Sequence, residues 1–364
     1  MASAEIPIEI GGRYFWRDGD RFIIRGVVYQ TNSSDRSQQW VDPLADDRLE
    51  DLKRDLSLFV ELGLNTIHVY RIDSTKCHDA VMRLLADAGI YVVLVSILAL
   101  FETLDIINRL DAVKSYNLDL LQHFFMKLDS MAKYANTLGV IVAAEVVNDV
   151  PSTPAAEIVK AVVRDVKRYV KLKSELTEHR VLPVGVSASD VLALRKPQFQ
   201  YFCAGNTEES VDFFTIDLFS DATVPVFFSE YGGKVWDHRT FQETKAIFSP
   251  RMTTVFSGGC AYELFMHSNK YGMVDIDEHG NLIKLTDFEN YKQSLQDSQD
   301  APNTDMQWAS TALISNKSLE FPPTDRVWMA RSIIPTSPVD WESIANEIEG
   351  EKWTIVPPES LGND

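Results

Sequence analysis

Two carboxylates close short apolar runs in this chain, and each stands where a strand should end. Gly139-Val140-Ile141-Val142-Ala143-Ala144 leads into Glu145, and Val224-Pro225-Val226-Phe227-Phe228-Ser229 leads into Glu230. Continuous apolar runs of this length read as strands buried on both faces, as in parallel sheets. A glutamate at the carboxyl end of such a strand is costly to bury and needs a reason to be there. If the two ends meet at one rim of a barrel, they supply the paired carboxylates of glycoside chemistry. One would donate and recover a proton while the other attacks the sugar carbon. The plainer alternative is two strand-terminal glutamates that simply reach solvent.

The rest of the chain reads as the scaffold such a pair requires. Arg13 to Trp16 and Phe22 to Gln30 form a lead-in hairpin and a first strand, with Arg17-Asp18-Gly19-Asp20 supplying the turn. A helix over Asp46 to Leu62 stops at Gly63, and strands follow at Asn65 to Ile72 and Ile90 to Leu98 around a helix over Cys77 to Ala88. A long helix over Tyr116 to Thr137, ended by Gly139, feeds the Glu145 strand. Further helices are expected over Pro154 to Leu176, Val191 to Gln200, Thr240 to Phe248 and Asp287 to Leu295. The remaining strands are Val181 to Ser187, Val211 to Phe219, the Glu230 run and Cys260 to His267. This alternation predicts an α/β fold, a (β/α)8 TIM barrel over residues 1–300. Only Ser220, Asp221, Ala222 and Thr223 separate the sixth and seventh strands. A parallel crossover needs about a dozen residues, so no ordinary helix returns there. Residues 301–364, punctuated by prolines and by Trp308, Trp328, Trp341 and Trp353, read as an irregular tail packing partly on the barrel.

Composition narrows the chemistry. A formal net charge of −18 with no basic stripe argues against a nucleic-acid partner. No stretch is apolar enough to span a membrane. The seven histidines and three cysteines show no zinc spacing, Gly11-Gly12 and Gly258-Gly259 are isolated doublets, and no Gly-x-Ser-x-Gly elbow exists. No metal and no cofactor is expected. Ser187 and Ser189 read as polar strand termini.

Several motifs occur together in one order: Ile24-Arg25-Gly26-Val27-Val28-Tyr29-Gln30, Asp42-Pro43-Leu44-Ala45, Val69-Tyr70, Ile107-Asn108-Arg109, Phe227-Phe228-Ser229-Glu230-Tyr231-Gly232 and Asn269-Lys270-Tyr271-Gly272-Met273-Val274. In this combination the chain resembles the fungal β-1,3-glucanosyltransferases of glycoside hydrolase family 72, from about Ile8 to about Leu295. The resemblance implies that Glu145 is the general acid/base, that Glu230 is the nucleophile, and that Gln30, Tyr70 and Tyr262 line a glucan cleft. It also implies departures. Ala144 stands where the family has an Asn that contacts the sugar 2-hydroxyl, Val95 replaces a carboxylate, and His68 replaces an Arg beside the nucleophile. A loop Tyr is missing from the short sixth connection. These losses leave two other readings open: a barrel repurposed for acid/base chemistry on a small molecule in a biosynthetic pathway, or a non-catalytic glycan-binding relative. Members of the family are normally secreted, membrane-anchored and disulfide-bonded. Here Met1 to Pro7 does not read as a signal peptide, the carboxyl end shows no anchor signal, and Cys77, Cys203 and Cys260 are too few for a disulfide framework. A reducing, cytoplasmic location is the resulting expectation.

Overall fold

A computed structural model describes residues 3–30, 41–95, 107–177, 179–215, 222–234, 238–298 and 319–354, with side chains as far as residue 350. A three-stranded antiparallel sheet comes first: β1 (Glu9–Gly11), β2 (Tyr14–Arg17) and β3 (Asp20–Phe22). Eight strands then close a barrel: β4 (Ile24–Val28), β5 (Thr66–Val69), β6 (Tyr91–Val95), β7 (Thr137–Ala144), β8 (Val184–Ser187), β9 (Phe213–Thr215), β10 (Val226–Tyr231) and β11 (Phe256–Ala261). Every neighbouring pair around the ring is parallel, and β11 closes against β4. The predicted (β/α)8 barrel is the observed fold.

Two cores explain why the strand sequences are apolar on both faces. Inside the barrel, Ile24, Val28, Tyr91, Val93, Val95, Ile141, Phe213, Phe227 and Cys260 form one cluster. Phe15 of β2 plugs it, its ring 6.0 Å from those of both Phe213 and Phe227. The alternate residues Val27, Ile67, Val69, Val92, Leu94, Val140 and Val142 face outward into a second cluster under the helices. Each fully buried side chain of this kind contributes about 1.5–3 kcal/mol. The outer layer includes α1 (Leu49–Leu62), α2 (Asp79–Asp87), α4 (Leu118–Ala132), α5 (Ala155–Leu176), α6 (Leu192–Cys203), α7 (Gln242–Ile247) and α9 (Thr286–Gln296), with short helices α3 (Ala112–Ser115) and α8 (Pro250–Thr253) between them. Gly63 ends α1 as expected: its left-handed backbone turns its amide back to the carbonyls of Phe59 and Val60.

Several boundaries move, each for a local reason. The expected first strand divides at Ile23 into β3 and β4, so the lead-in sheet takes Phe22. The helix expected over Tyr116 to Thr137 starts later, because the Asn117 side chain caps it by accepting from the Leu120 amide at 2.9 Å. It stops at Ala132, and Gly139 lies inside β7 rather than ending a helix. The Phe213 ring sits 2.8 Å from where a β-carbon on Gly139 would stand, so this glycine makes room for the barrel core. The eighth strand is Phe256–Ala261, earlier than the expected Cys260 to His267, and it includes the Gly258-Gly259 doublet. At Gly258, with φ +83°, a β-carbon would fall 2.1 Å from the Ile24 carbonyl oxygen. Only glycine lets β11 close on β4 there. A small hairpin, β12 (Val274–Ile276) with β13 (Leu282–Lys284), was not anticipated. Residues 216–221, the end of the expected sixth strand and the start of the short connection after it, lie outside the described residues.

Part of the tail contacts the barrel's helical shell. Trp328 is 1% exposed, the Tyr201 hydroxyl donates to the Arg331 carbonyl at 2.6 Å, and Arg331 Nη2 pairs with Glu157 at 2.9 Å. The C-terminal helix Trp341–Thr354 brings Trp341 toward Phe125 of α4, with Arg168 of α5 over its ring. Cys77, Cys203 and Cys260 are all free, the first exposed and the others buried. No helix among the described residues is long and apolar enough to cross a membrane.

Candidate active site

Both glutamates follow irregularities in their strands. On β7, Ile141 pairs with Gly185 but Ala144 pairs with Ser187, so three steps on one strand match two on the other. On β10, Phe228 pairs with Gly259 and Tyr231 with Ala261, the same mismatch. An extra residue of this kind re-aims side chains beyond it. On β10 the effect is plain. Ser229 faces the interior, where its hydroxyl lies 3.0 Å from Ser187 Oγ and 3.1 Å from Thr215 Oγ1. Simple alternation would turn Glu230 outward, but Tyr231 takes the outward place beside Tyr291, with their hydroxyls 3.2 Å apart. Glu230 is left at the mouth, where the Tyr70 hydroxyl donates a short hydrogen bond to its Oε1. Glu145 has φ +53°, a left-handed conformation uncommon outside glycine, and its amide donates to the Ser187 carbonyl at 2.9 Å.

Both carboxyls are open to solvent yet surrounded by the barrel rim, and both are harder to ionise than an ordinary glutamate. Glu145 is raised by desolvation first and then by the charge of Asp190. Glu230 is pushed up to about 7 by desolvation, partly opposed by the Tyr70 hydrogen bond and reinforced by the charges of Glu145 and Glu263. His68 does not steady Glu230 as an arginine would. Burial lowers its pKa to about 4, so it is neutral, and its Nδ1 lies 3.0 Å from the Ser229 carbonyl oxygen. That contact places the proton on Nδ1, and Nε2 has no hydrogen-bond partner.

Raised carboxyls couple this site to folding. Glu230 ionises near 4.5 when unperturbed and near 7 in the fold. Between those values the folded chain keeps a proton that the unfolded chain has released, so this group's stability contribution is lost as pH rises through about 7. Glu230→Gln removes the titrating carboxyl. Its Tm should match the wild type at pH 4 and exceed it at pH 8, by about 2–4 °C for each kcal/mol relieved. An equal offset at both pH values in a thermal melt would refute this linkage.

Of the other expected residues, Tyr70 and Tyr262 lie within reach of the Glu230 charge, and Gln30 follows the end of β4. Gln30 is 2% exposed, and its Nε2 has no hydrogen-bond partner. Tyr70 packs edge-on against His68 at 5.1 Å. The Tyr262 hydroxyl accepts from Asn269 Nδ2 at 2.9 Å, and the same amide donates to Glu263 at 2.7 Å. Glu263, 2% exposed and 2.8 Å from His267 Nδ1, is a third carboxylate whose charge reaches Glu230. It was missed because the expected eighth strand, Cys260 to His267, placed it mid-strand, whereas β11 ends at Ala261 and leaves it at the rim. Val95 is buried in the barrel core and offers nothing polar. A groove of about 740 Å³ on the outside of the barrel, along α5, is lined by Lys167, Lys171 and Trp341. Its lysines pair with Asp212 and Glu208.

A closed parallel barrel with two glutamates at the ends of its fourth and seventh strands defines a class, the (β/α)8 glycoside-type enzymes. Comparison with known proteins places the chain more narrowly. The glucanosyltransferase profile of glycoside hydrolase family 72 matches residues 1–220 and 215–299, breaking at the short sixth connection. The 1,3-beta-glucanosyltransferase GAS5 of Saccharomyces cerevisiae is 40% identical over 314 residues, covering 80% of this chain and 62% of that protein. The 1,3-beta-glucanosyltransferase gel1 of Aspergillus fumigatus is 39% identical over 80% of this chain and 65% of its own length. The structure of Saccharomyces cerevisiae Gas2 with laminaritriose and laminaritetraose superposes with a TM-score of 0.80 at 30% identity, covering 94% of this chain and 80% of that one. The chain belongs to glycoside hydrolase family 72, and it spans under two thirds of the length of GAS5 and gel1.

This membership overturns the expected cytoplasmic location, because the family's proteins are secreted or attached to the cell wall. The cysteine count misled for a physical reason. A barrel with two large cores does not need disulfides to fold, and buried Cys203 and Cys260 serve as small apolar side chains.

Proposed function

We propose that the chain is a retaining β-1,3-glucan transferase, with Glu230 as nucleophile and Glu145 as acid and base. The observation that carries this reading is the pair itself: two irregular strands deliver both glutamates to one mouth, close enough for the charge of one to raise the other. In the first step a Glu230 oxygen bonds to the anomeric carbon while the glycosidic bond breaks, and Glu145 protonates the departing sugar oxygen. In the second, Glu145 takes the proton of an acceptor sugar hydroxyl, which displaces Glu230 and restores the original anomeric configuration. Tyr70, donating to Glu230, orients the attacking oxygen. Gln30 holds a buried amide whose Nε2 has no hydrogen-bond partner among the described residues, a donor that a sugar hydroxyl could take up once it reaches the rim. Tyr262, its hydroxyl fixed by Asn269, forms a wall for a sugar ring. Gas2 is solved with laminari-oligosaccharides, which gives the same substrate class. The relatives and solved structures that the chain matches do not favour the small-molecule or non-catalytic readings.

Incubation with laminari-oligosaccharides and sizing of the products tests the proposal. Products longer than the donor are expected, and an unchanged length distribution would end it. Ala144 bears on the rate. It faces Ser187 one residue before Glu145 and offers no hydrogen bond to a sugar 2-hydroxyl. Ala144→Asn should raise kcat about 10-fold with little change in KM, because a contact to that hydroxyl strengthens as the ring flattens. A rise in KM with no gain in kcat would mean that the amide finds no sugar there.

A further inference from the structure

We infer that Arg239 is a positioning residue for the reaction: one buried guanidinium holds the exits of the nucleophile strand and of the strand that carries Tyr262. The inference rests on the reading of Glu230 and Tyr262 given above. Arg239 is 3% exposed and lies just before α7. Its Nε donates to Asp287 Oδ2 at 2.7 Å, and its own amide donates to Asp287 Oδ1 at 3.0 Å, which anchors it to the first turn of α9. From that anchor Nη1 donates to the Gly232 carbonyl at 3.3 Å and to the Tyr262 carbonyl, and Nη2 donates to the Tyr271 carbonyl.

Those three carbonyls belong to separate segments. Gly232 lies two residues after Glu230, Tyr262 immediately follows β11, and Tyr271 belongs to the loop that returns to β12. The Phe241 ring lies 4.8 Å from the guanidinium carbon and holds it in place. Each exit also has its own backbone tie. The Tyr262 amide donates to the Tyr231 carbonyl at 2.8 Å, and the Met273 amide donates to the Leu264 carbonyl at 2.9 Å. Without the guanidinium, three carbonyls in a crowded rim lose a shared donor. A planar fork with five N–H groups can serve Asp287 and three carbonyls at once, whereas an ammonium on a flexible stem cannot. Its amide and guanidinium donate to Asp287 and to backbone carbonyls, and none of these bonds goes to Glu230, so the task of Arg239 is geometric.

Arg239→Lys keeps the charge and removes the fork. Its kcat/KM on laminari-oligosaccharides should fall about 10- to 100-fold, mainly through KM as Tyr262 shifts, with the pH limbs of the profile unmoved. Native-state hydrogen exchange at the Tyr262 and Met273 amides should quicken at least 10-fold, while Val93 and Ile141 in the barrel keep their rates. Asp287→Asn, which leaves the fork in place but loosens its anchor, should give the same pattern to a lesser degree and serves if the lysine variant does not fold. Unchanged kinetics, or exchange that quickens uniformly through the barrel, would overturn the inference and leave Arg239 as general packing. If the wild-type protein does not act on these glucans, the reading of function fails on its own. The exchange arm then still decides whether Arg239 holds the two exits, by unequal against uniform quickening.

Discussion

Replacing either glutamate by alanine should abolish ordinary transfer, and added azide should restore turnover to two different products. Without Glu145, nothing protonates the departing sugar oxygen, and a loss of about 10²–10⁴-fold is expected. A dinitrophenyl glucoside donor, which leaves without that proton, recovers the first step. Azide then displaces Glu230 from the glycosyl-enzyme and yields the β-azide after two inversions. Without Glu230 no covalent intermediate forms, and the loss should be larger, on the order of 10⁶-fold as for nucleophiles removed from other hydrolases. Azide can enter the space left beside Tyr70 and attack the sugar carbon directly, giving the α-azide after one inversion. The configuration of each azide, read by NMR, assigns the two roles independently of any rate. Exchanged products would reverse the assignment of Glu145 and Glu230, and full activity in either variant would end the paired-carboxylate mechanism.

A second large effect is expected from His68→Arg at acid pH. If Glu230 is the attacking group, as proposed, it must be ionised, and a pKa raised to about 7 leaves only a small fraction as carboxylate at pH 5. The cause is desolvation without a compensating cation. His68 stands behind Ser229 as a neutral ring and lends no positive charge. An arginine reaching from the same inward position of β5 would favour the charged carboxylate by a short-range attraction in a poorly hydrated site. If Glu230 falls to its ordinary value or below, at least half is ionised at pH 5, and kcat/KM there should rise about 50-fold. At pH 8, where the wild-type carboxylate is already formed, the two proteins should differ little. The acid limb of the kcat/KM profile should lie near 7 in the wild type and move down in the variant. A wild-type limb already at about 4.5 would show that water reaches Glu230 more freely than its surroundings indicate.

Glu230 and Glu145 were singled out because each closes an apolar run with one carboxylate; in the fold both stand exposed at the barrel rim, and the roles proposed for them await the azide test. The barrel was legible for a related reason. Helical spacing in Leu49 to Leu62, with Gly63 to stop it, alternates with runs such as Tyr91 to Val95 that have nothing polar on either side. What those runs cannot reveal is direction. When Val92 and Leu94 face the helices while Tyr91, Val93 and Val95 face the barrel axis, both sets are apolar, and the period of two disappears. The glycines misled for the opposite reason. Gly139 resembles a helix stop and Gly258 part of an isolated doublet, but their role is to yield space to Phe213 and to the Ile24 carbonyl, which come from distant parts of the chain.

The site itself divides in the same way. Sequence determined which residue types stand at the strand ends, and therefore that Ala144, Val95 and His68 offer fewer polar contacts than the family pattern. Tertiary structure alone decided where those ends point. The mismatched register of β10 against β11 turns Glu230 to the mouth and Tyr231 to the shell, and no local signal in Phe228-Ser229-Glu230-Tyr231 specifies that choice. The same holds for Arg239 and Asp287, which are buried against each other from positions 48 residues apart. A pKa near 7 at Glu230 comes from what the fold withholds as much as from what it supplies: water is displaced, His68 is neutral, and Glu145 and Glu263 are brought near. These are effects of distance and dielectric, and only the closed barrel fixes either one.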